Sequence, residues 1–250
     1  LKRVIGKIFA GKASMTLADF TFTKDGTSPP VTAKDARYDF DMAMVDDYLD
    51  VIAKFGLGQL TIEKADVTDM HYDVALRHLH AQTCADMHER LQALQTQGLM
   101  AGPAANMAMM GLLAEYGPKL LEHTPELAVD HLGFTLPEGS LKLSGKVSLP
   151  GFTMADLQTG MTSLLAKLDA TLDIRISEGL LEKDWSGVTR PDAGTDAPDA
   201  GLSNLQKFKA QTEAFEQQGF ITRNGDVLES RIEFRNGAMT VNGKPMGPPA

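Results

Sequence analysis

Three Asn-Gly pairs fall within the last 27 residues of the chain, at Asn224-Gly225, Asn236-Gly237 and Asn242-Gly243. They constrain the fold tightly, because both central residues of a type I′ hairpin turn need positive φ and Asn-Gly supplies it at little cost. A two-residue turn at Asn236-Gly237 sets Phe234 opposite Met239 and Ile232 opposite Val241, so the apolar residues of both strands share one face. The same geometry at Asn224-Gly225 sets Ile221 opposite Leu228. The chain is therefore expected to end in an antiparallel meander whose register the hydrophobic pattern fixes.

The same period of two recurs upstream. Ala36, Tyr38, Phe40, Met42 and Met44 alternate with Asp35, Arg37, Asp39 and Asp41. Leu168 to Ile176 and Leu141 to Leu149 alternate in the same way, and Leu132, Phe134 and Leu136 run into a Pro137-Glu138-Gly139 turn. Met15 to Thr23 and Leu60 to Leu76 also read as strands. One apolar and one wet face is the habit of antiparallel sheets.

Helical spacing is expected in four places. Val45, Leu49, Ile52 and Phe55 suggest a helix over Val45 to Phe55. Thr153 with Asp156 resembles a capping box ahead of Leu157, Met161, Leu164 and Leu165. Ser203 with Gln206 opens another helix, with Leu205, Phe208 and Phe215 inward and Gly219 as its stop. The block from Ala81 to His123 reads as two helices, broken at Gly98 and again near Gly117-Pro118. Ser186 to Gly201, rich in Pro, Gly and Asp, reads as a surface loop.

At 250 residues the chain can build a real core. A net charge of -9 with scattered acidic residues argues against a nucleic-acid partner, which needs a basic patch. The single cysteine, Cys84, excludes an internal disulfide.

His80, Cys84 and His88, spaced i, i+4, i+8, are the sharpest chemical constellation. A thiolate and two imidazoles suit zinc or copper. Residues eight apart on a helix stand about 12 Å from each other, however, so at best Cys84 with one histidine could share an ion. Cys84 also shares a stripe with Met87, Leu91 and Leu94, so a core cysteine without metal is the expectation. A Cys84–His88 nucleophilic dyad lacks a glycine-rich turn and an orienting third group. The acidic residues Asp35, Asp39, Asp41, Asp46, Asp47 and Asp50 lack the spacing of a calcium loop. No cofactor or metal is expected.

Leu99 to Ala114 is apolar on all sides and too short for a bilayer span. Burial against the apolar face of the sheet is the expectation. A methionine-rich surface can also bind adaptable ligands, with Met107, Met109, Met110 and Leu113 lining a groove. The basic opening segment around Lys2, Arg3 and Lys7 has the make-up to touch a membrane surface, but it is short and reads rather as the remnant of a truncated element.

Three stretches carry a family resemblance: Tyr72 to Ala81, Leu141 to Gly145, and the closing Gly237 to Pro245 with its Asn-Gly-Lys-Pro. They resemble the YdgA-like family of bacterial envelope proteins, DUF945, a domain of unknown function. The resemblance implies a periplasmic protein held to the inner membrane by an N-terminal segment, and it offers no catalytic residues. The chain begins at Leu1 rather than Met, so such an anchor is expected to precede it.

The expected architecture is α+β: a single domain over residues 1–250, with a long curved antiparallel sheet and helices packed on its apolar face. The expected function is that of a non-catalytic envelope protein, a structural scaffold or interaction module. The competing reading is a lipid or hydrophobic-ligand binder using a groove between the sheet and the methionine-rich helix. Sequence leaves the oligomeric state open.

Overall fold

The computed structural model describes residues 2–6, 8–23, 30–62, 65–100, 102, 104–182 and 209–246. Its strands are β1 (Lys2–Ile5), β2 (Ile8–Phe22), β3 (Val31–Val45), β4 (Tyr48–Ile62), β5 (Ala65–His80), β6 (Glu126–Leu136), β7 (Gly139–Ser148), β8 (Asp169–Ser177), β9 (Thr222–Asn224), β10 (Val227–Arg235), β11 (Ala238–Val241) and β12 (Lys244–Pro245). The helices are α1 (Ala81–Thr96), α2 (Ala104–Leu121), α3 (Met154–Thr159), α4 (Met161–Lys167), α5 (Glu178–Glu182) and α6, residues 209–218. All strands join one open antiparallel sheet, each beside the next from β1 to β8, then β10, β11 and β12. β9 and β11 lie end to end along one edge of β10, since β8 runs along the other. The fold class is α+β.

The closing turns show how local chemistry sets the ladder. Asn236 and Gly237 have φ of 53° and 74°, Asn242 and Gly243 have 50° and 75°, and both are I′-type connections. Phe234 faces Met239 and Ile232 faces Val241, the register expected from sequence. The first Asn-Gly pair behaves otherwise. Asn224 pairs with Val227 and Arg223 with Leu228, so the central residues are Gly225 and Asp226, one place later than expected. Gly225 alone has positive φ, 67°, the pattern of a II′ turn. A tertiary anchor favours this register: the Glu178 N–H of α5 donates to the Asp226 carbonyl at 2.8 Å. Arg223 Nη1 also lies 2.5 Å from the Glu178 carboxylate.

Val45 to Phe55 is not a helix. Val45 pairs with Tyr48 across an Asp46-Asp47 turn, and the chain continues as β4. The period-two set Leu49, Val51, Ala53 and Phe55 stands opposite Met44, Met42, Phe40 and Tyr38, and this cross-strand match outweighs the helical spacing. The helix opened by Thr153 is interrupted at Gly160, giving α3 and α4. Asp156 holds the two together. Its carboxylate accepts from Thr153 N–H at 2.6 Å, Ser163 Oγ at 2.5 Å and Lys167 Nζ at 2.6 Å. Those bonds, Lys167 foremost, hold its carboxyl far below the usual carboxylate range.

The break at Gly98 is present, but α2 continues through Gly117-Pro118 to Leu121. Pro118 falls in the last turn, where it removes little of the helix ladder, and its carbonyl accepts from Glu122 N–H at 3.1 Å. Gly219 ends α6 as expected, whereas Phe215 is 45% exposed rather than inward. Ser203, Leu205, Gln206 and Phe208 lie outside the described residues, as does the loop over Ser186 to Gly201.

One irregularity crosses the sheet. Ala18, Asp35, Gly58 and Asp69 occupy one row of β2 to β5, and in each strand the apolar alternation slips by one residue there. Leu17 gives way to Phe20, Ala33 to Ala36, Leu57 to Leu60, and Val67 to Met70. Asp35 and Asp69 take φ of 54° and 52°, the left-handed region that aspartate tolerates better than most side chains. Gly58 gives room at this row, since a Cβ there would stand 3.0 Å from the Asp35 Cβ and push it by a few tenths of an ångström.

Buried side chains gather under helices at two places on the sheet, besides scattered positions such as Ala33 and Leu57. Beside the start of α1, which packs on β1 and β5, Leu49, Ala75, Ala81, Ala85 and Ala128 are all at most 3% exposed. At the C-terminal end α5 packs on β7 and β8, and Leu136, Leu180 and Leu228 are buried.

Candidate functional site

Direct partners in an antiparallel ladder point to the same side of the sheet. Met15, Tyr38, Phe55 and Tyr72 are such partners across β2, β3, β4 and β5. The row continues as Leu132, Leu143 and Ile174. The same face carries Leu17, two residues from Met15, and Leu76 and Leu127, which pair with each other in the row of Met42 and Val51. Met15 is 67% exposed, Tyr38 39%, Phe55 39% and Tyr72 50%. These four side chains are open, although Leu57, two residues from Phe55 on the same face, is buried.

The other face of the same strands is ionic. Arg37 Nη2 donates to Asp39 at 3.0 Å, beside Lys54 and Asp73, which pair across β4 and β5. Farther along, Arg77 contacts Glu126 at 3.2 Å and Asp130 at 2.5 Å, and Lys146 contacts Glu126 at 2.8 Å. The Lys146 hydrogen bond, with help from Arg77, holds the Glu126 carboxyl below its ordinary value. The polar residues of this face are therefore partnered, while the apolar residues opposite are not.

A second cluster gathers three of the six histidines. His78 stacks on Tyr48 with centroids 3.7 Å apart, and His80 stacks on His123 at 3.8 Å. Tyr48 meets His80 and His123 edge-on at 6.2 and 6.1 Å. His78 Nδ1 lies 2.8 Å from the His123 carbonyl, and His80 Nδ1 lies 2.8 Å from Thr83 Oγ1. Burial, then the neighbouring His80, pushes the His123 imidazole below its usual value. Face-to-face stacking keeps these rings from converging their nitrogens on one point. Among the described residues no group of three His, Cys, Asp or Glu is placed to hold a metal.

The structure does not bring His80, Cys84 and His88 together. His80 turns to His123 and Thr83, whereas His88 Nε2 sits 2.9 Å from Gln92 Nε2. Cys84 is half-buried, and burial pushes its thiol up, away from a reactive thiolate. Helical spacing pointed at the wrong partners for His80. The i, i+2 pair His78 and His80 was the available signal, though it is a bulge at His78, with φ of 59°, that brings both rings to Tyr48.

The methionine-rich segment corrects a larger expectation. α2 does not lie against the sheet; it packs on α1. Leu94, Leu112 and Tyr116 form a small core with Met87, Leu91, Met100 and Ala108, all from the two helices and their connection. The other side of α2 is open: Met107 is 80% exposed, Met110 67%, Leu113 53% and Met109 39%. The proposed groove residues therefore lie on the outside of a helical hairpin. A cavity of about 140 Å³ occurs at the far end of the sheet, among Glu178, Glu182, Lys209, Arg223 and Leu228, and its charged rim does not suit a lipid.

No described helix is long and apolar enough to cross a membrane. No curated protein and no solved structure matches the chain. The sequence profile of a family described as "Bacterial protein of unknown function (DUF945)" matches residues 1–249. The match spans nearly the whole chain, and the protein belongs to the DUF945 family of bacterial proteins.

Proposed function

We propose that this protein is a non-catalytic interaction module of the bacterial cell envelope, and that the apolar face of β2 to β5 is where a protein partner sits. The observation that carries the reading is the register-aligned row Met15, Tyr38, Phe55 and Tyr72, 39–67% exposed on a sheet whose opposite face is ionic. Contiguous apolar surface of this kind marks an interaction site. Aromatic residues and methionine are the side chains enriched where proteins meet. A small ligand would need a concave pocket that buries most of its surface, which an open sheet face does not offer.

Binding rather than catalysis fits the side chains. The histidines stack on aromatic neighbours, and Cys84 is held as a thiol. The envelope setting, periplasmic and held at the inner membrane, rests on the family resemblance of Tyr72 to Ala81 and Gly237 to Pro245. The lipid reading is the weaker of the two, because α2 stands on α1 and closes no groove with the sheet.

Photo-crosslinking in the native host tests this. A crosslinking amino acid at Tyr38 or Phe55 of the full-length protein should capture a protein, while one at Lys54, on the ionic face, should not. Capture of lipid alone would favour the lipid reading. No adduct at either position would overturn both.

A further inference from the structure

The two edges of the sheet are finished differently. β12, at one edge, is two residues long and consists of Lys244 and Pro245. Short length, lysine and proline are the devices by which proteins blunt a strand edge. β2, at the other edge, has none of them over most of its length. β1 pairs only with Ile8 to Ala10, so residues Gly11 to Phe22 have β3 on one side and no partner on the other among the described residues. Twelve residues at about 3.3 Å each give an open ladder roughly 40 Å long. It contains no proline and just two charges, Lys12 and Asp19. Residues 12–22 are exposed throughout, including Met15, Leu17, Phe20 and Phe22.

An unpaired edge of this kind is a template for another strand. We propose that it pairs antiparallel with the β2 edge of a second copy of this chain, forming a closed two-fold dimer through one continuous sheet. Three observations select this occupant. β12 is too short to receive β2, so a head-to-tail filament has no second edge to use. The two charges lie near opposite ends of the free run, so antiparallel pairing centred near Met15 and Thr16 brings Lys12 of each copy near Asp19 of the other. Parallel pairing would set like beside like. Asp19 stands opposite Lys34 in the β2–β3 ladder and makes no ion pair within 4 Å among the described residues, whereas Lys12 Nζ lies 2.8 Å from Asp41.

The two-fold axis of such a pair runs perpendicular to the sheet and keeps each apolar face on the same side. The dimer would therefore join two rows of Met15, Tyr38, Phe55 and Tyr72 into one surface and leave it open. Backbone pairing at this edge does not depend on whether the face binds a protein.

Light scattering and cysteine crosslinking test it on the 250-residue chain. The chain should elute with the mass of two copies, and Met15→Lys, which sets like charges near the axis, should halve that mass with an unchanged circular dichroism spectrum. In a Cys84→Ser background, single cysteines at Ala13, Met15 and Leu17 should link into disulfide dimers on mild oxidation, most readily at position 15. A cysteine at Gln59, on interior strand β4, should not link. A monomer at tens of micromolar would overturn the proposal, as would a dimer that resists Met15→Lys. If Met15→Lys fails to fold, the crosslinking pattern decides, and linkage no stronger in β2 than at position 59 would overturn it.

Discussion

His80 and His123 stack face to face, 12° from parallel, with ring centroids 3.8 Å apart. They tie the start of α1 to the residues after α2, so the base of the helical hairpin rests on two imidazoles. His78 and Tyr48 face them from β5 and β4, and Glu122 is the nearby acid.

Two protons cannot share this stack without repulsion. Burial and the neighbouring histidines depress His123 in the folded chain below its ordinary 6.5, and Glu122 offsets part of this. The unfolded chain therefore takes up the proton first, so stability is full above pH 6.5 and falls as pH drops through and below that value. The urea midpoint should be lower at pH 5.5 than at 7.5. In His123→Phe, which keeps a stacking ring and loses the titration, that difference should shrink. An equal difference in both proteins would count against the stack as the source.

The closing turns make a backbone prediction. Gly237 sits at φ of 74°, where a β-branched residue is strained, although a Cβ there would make only an ordinary contact, 3.9 Å from the Ala166 Cα. Gly237→Val should cost about 1–2 kcal/mol through that strain. Gly237→Asn should cost less, because asparagine tolerates the same region. Equal denaturation midpoints for Val and Asn variants would contradict the turn assignment.

The packing of α2 separates two neighbouring side chains. Leu112 is 4% exposed against α1, and Met110 is 67% exposed on the other side. Leu112→Ala should cost about 2–5 kcal/mol. Met110→Asp should change stability by no more than about 0.5 kcal/mol. If the aspartate variant is the more damaged, α2 is buried on the side described as open.

Much of the fold was legible because it is written locally. The I′ turns at Asn236 and Asn242 and the alternation along Ala36 to Met44 need no knowledge of what lies elsewhere. The turn at Gly225-Asp226 was not legible, since its register is fixed by Glu178, 48 residues away along the chain. Val45 to Phe55 carried both periods, and only the presence of β3 alongside decides between them. The exposed sheet face was hidden for a different reason. Sequence placed Tyr38 on the apolar side of a strand, read Phe55 as part of a helix and gave Tyr72 no face, and whether a helix covers the three depends on where α2 goes. An all-apolar helix argues for burial somewhere, and α1 supplies burial for one side alone.

The face bearing Tyr38, Phe55 and Tyr72 should be open in the isolated protein and covered in the cell. Carbene footprinting of the same three residues, in purified protein and in intact host cells, measures this directly. All three should be labelled heavily in isolation and strongly protected in cells, with Lys54 on the ionic face labelled alike in both. Protection already present in the purified chain, or equal labelling in both settings, would contradict it.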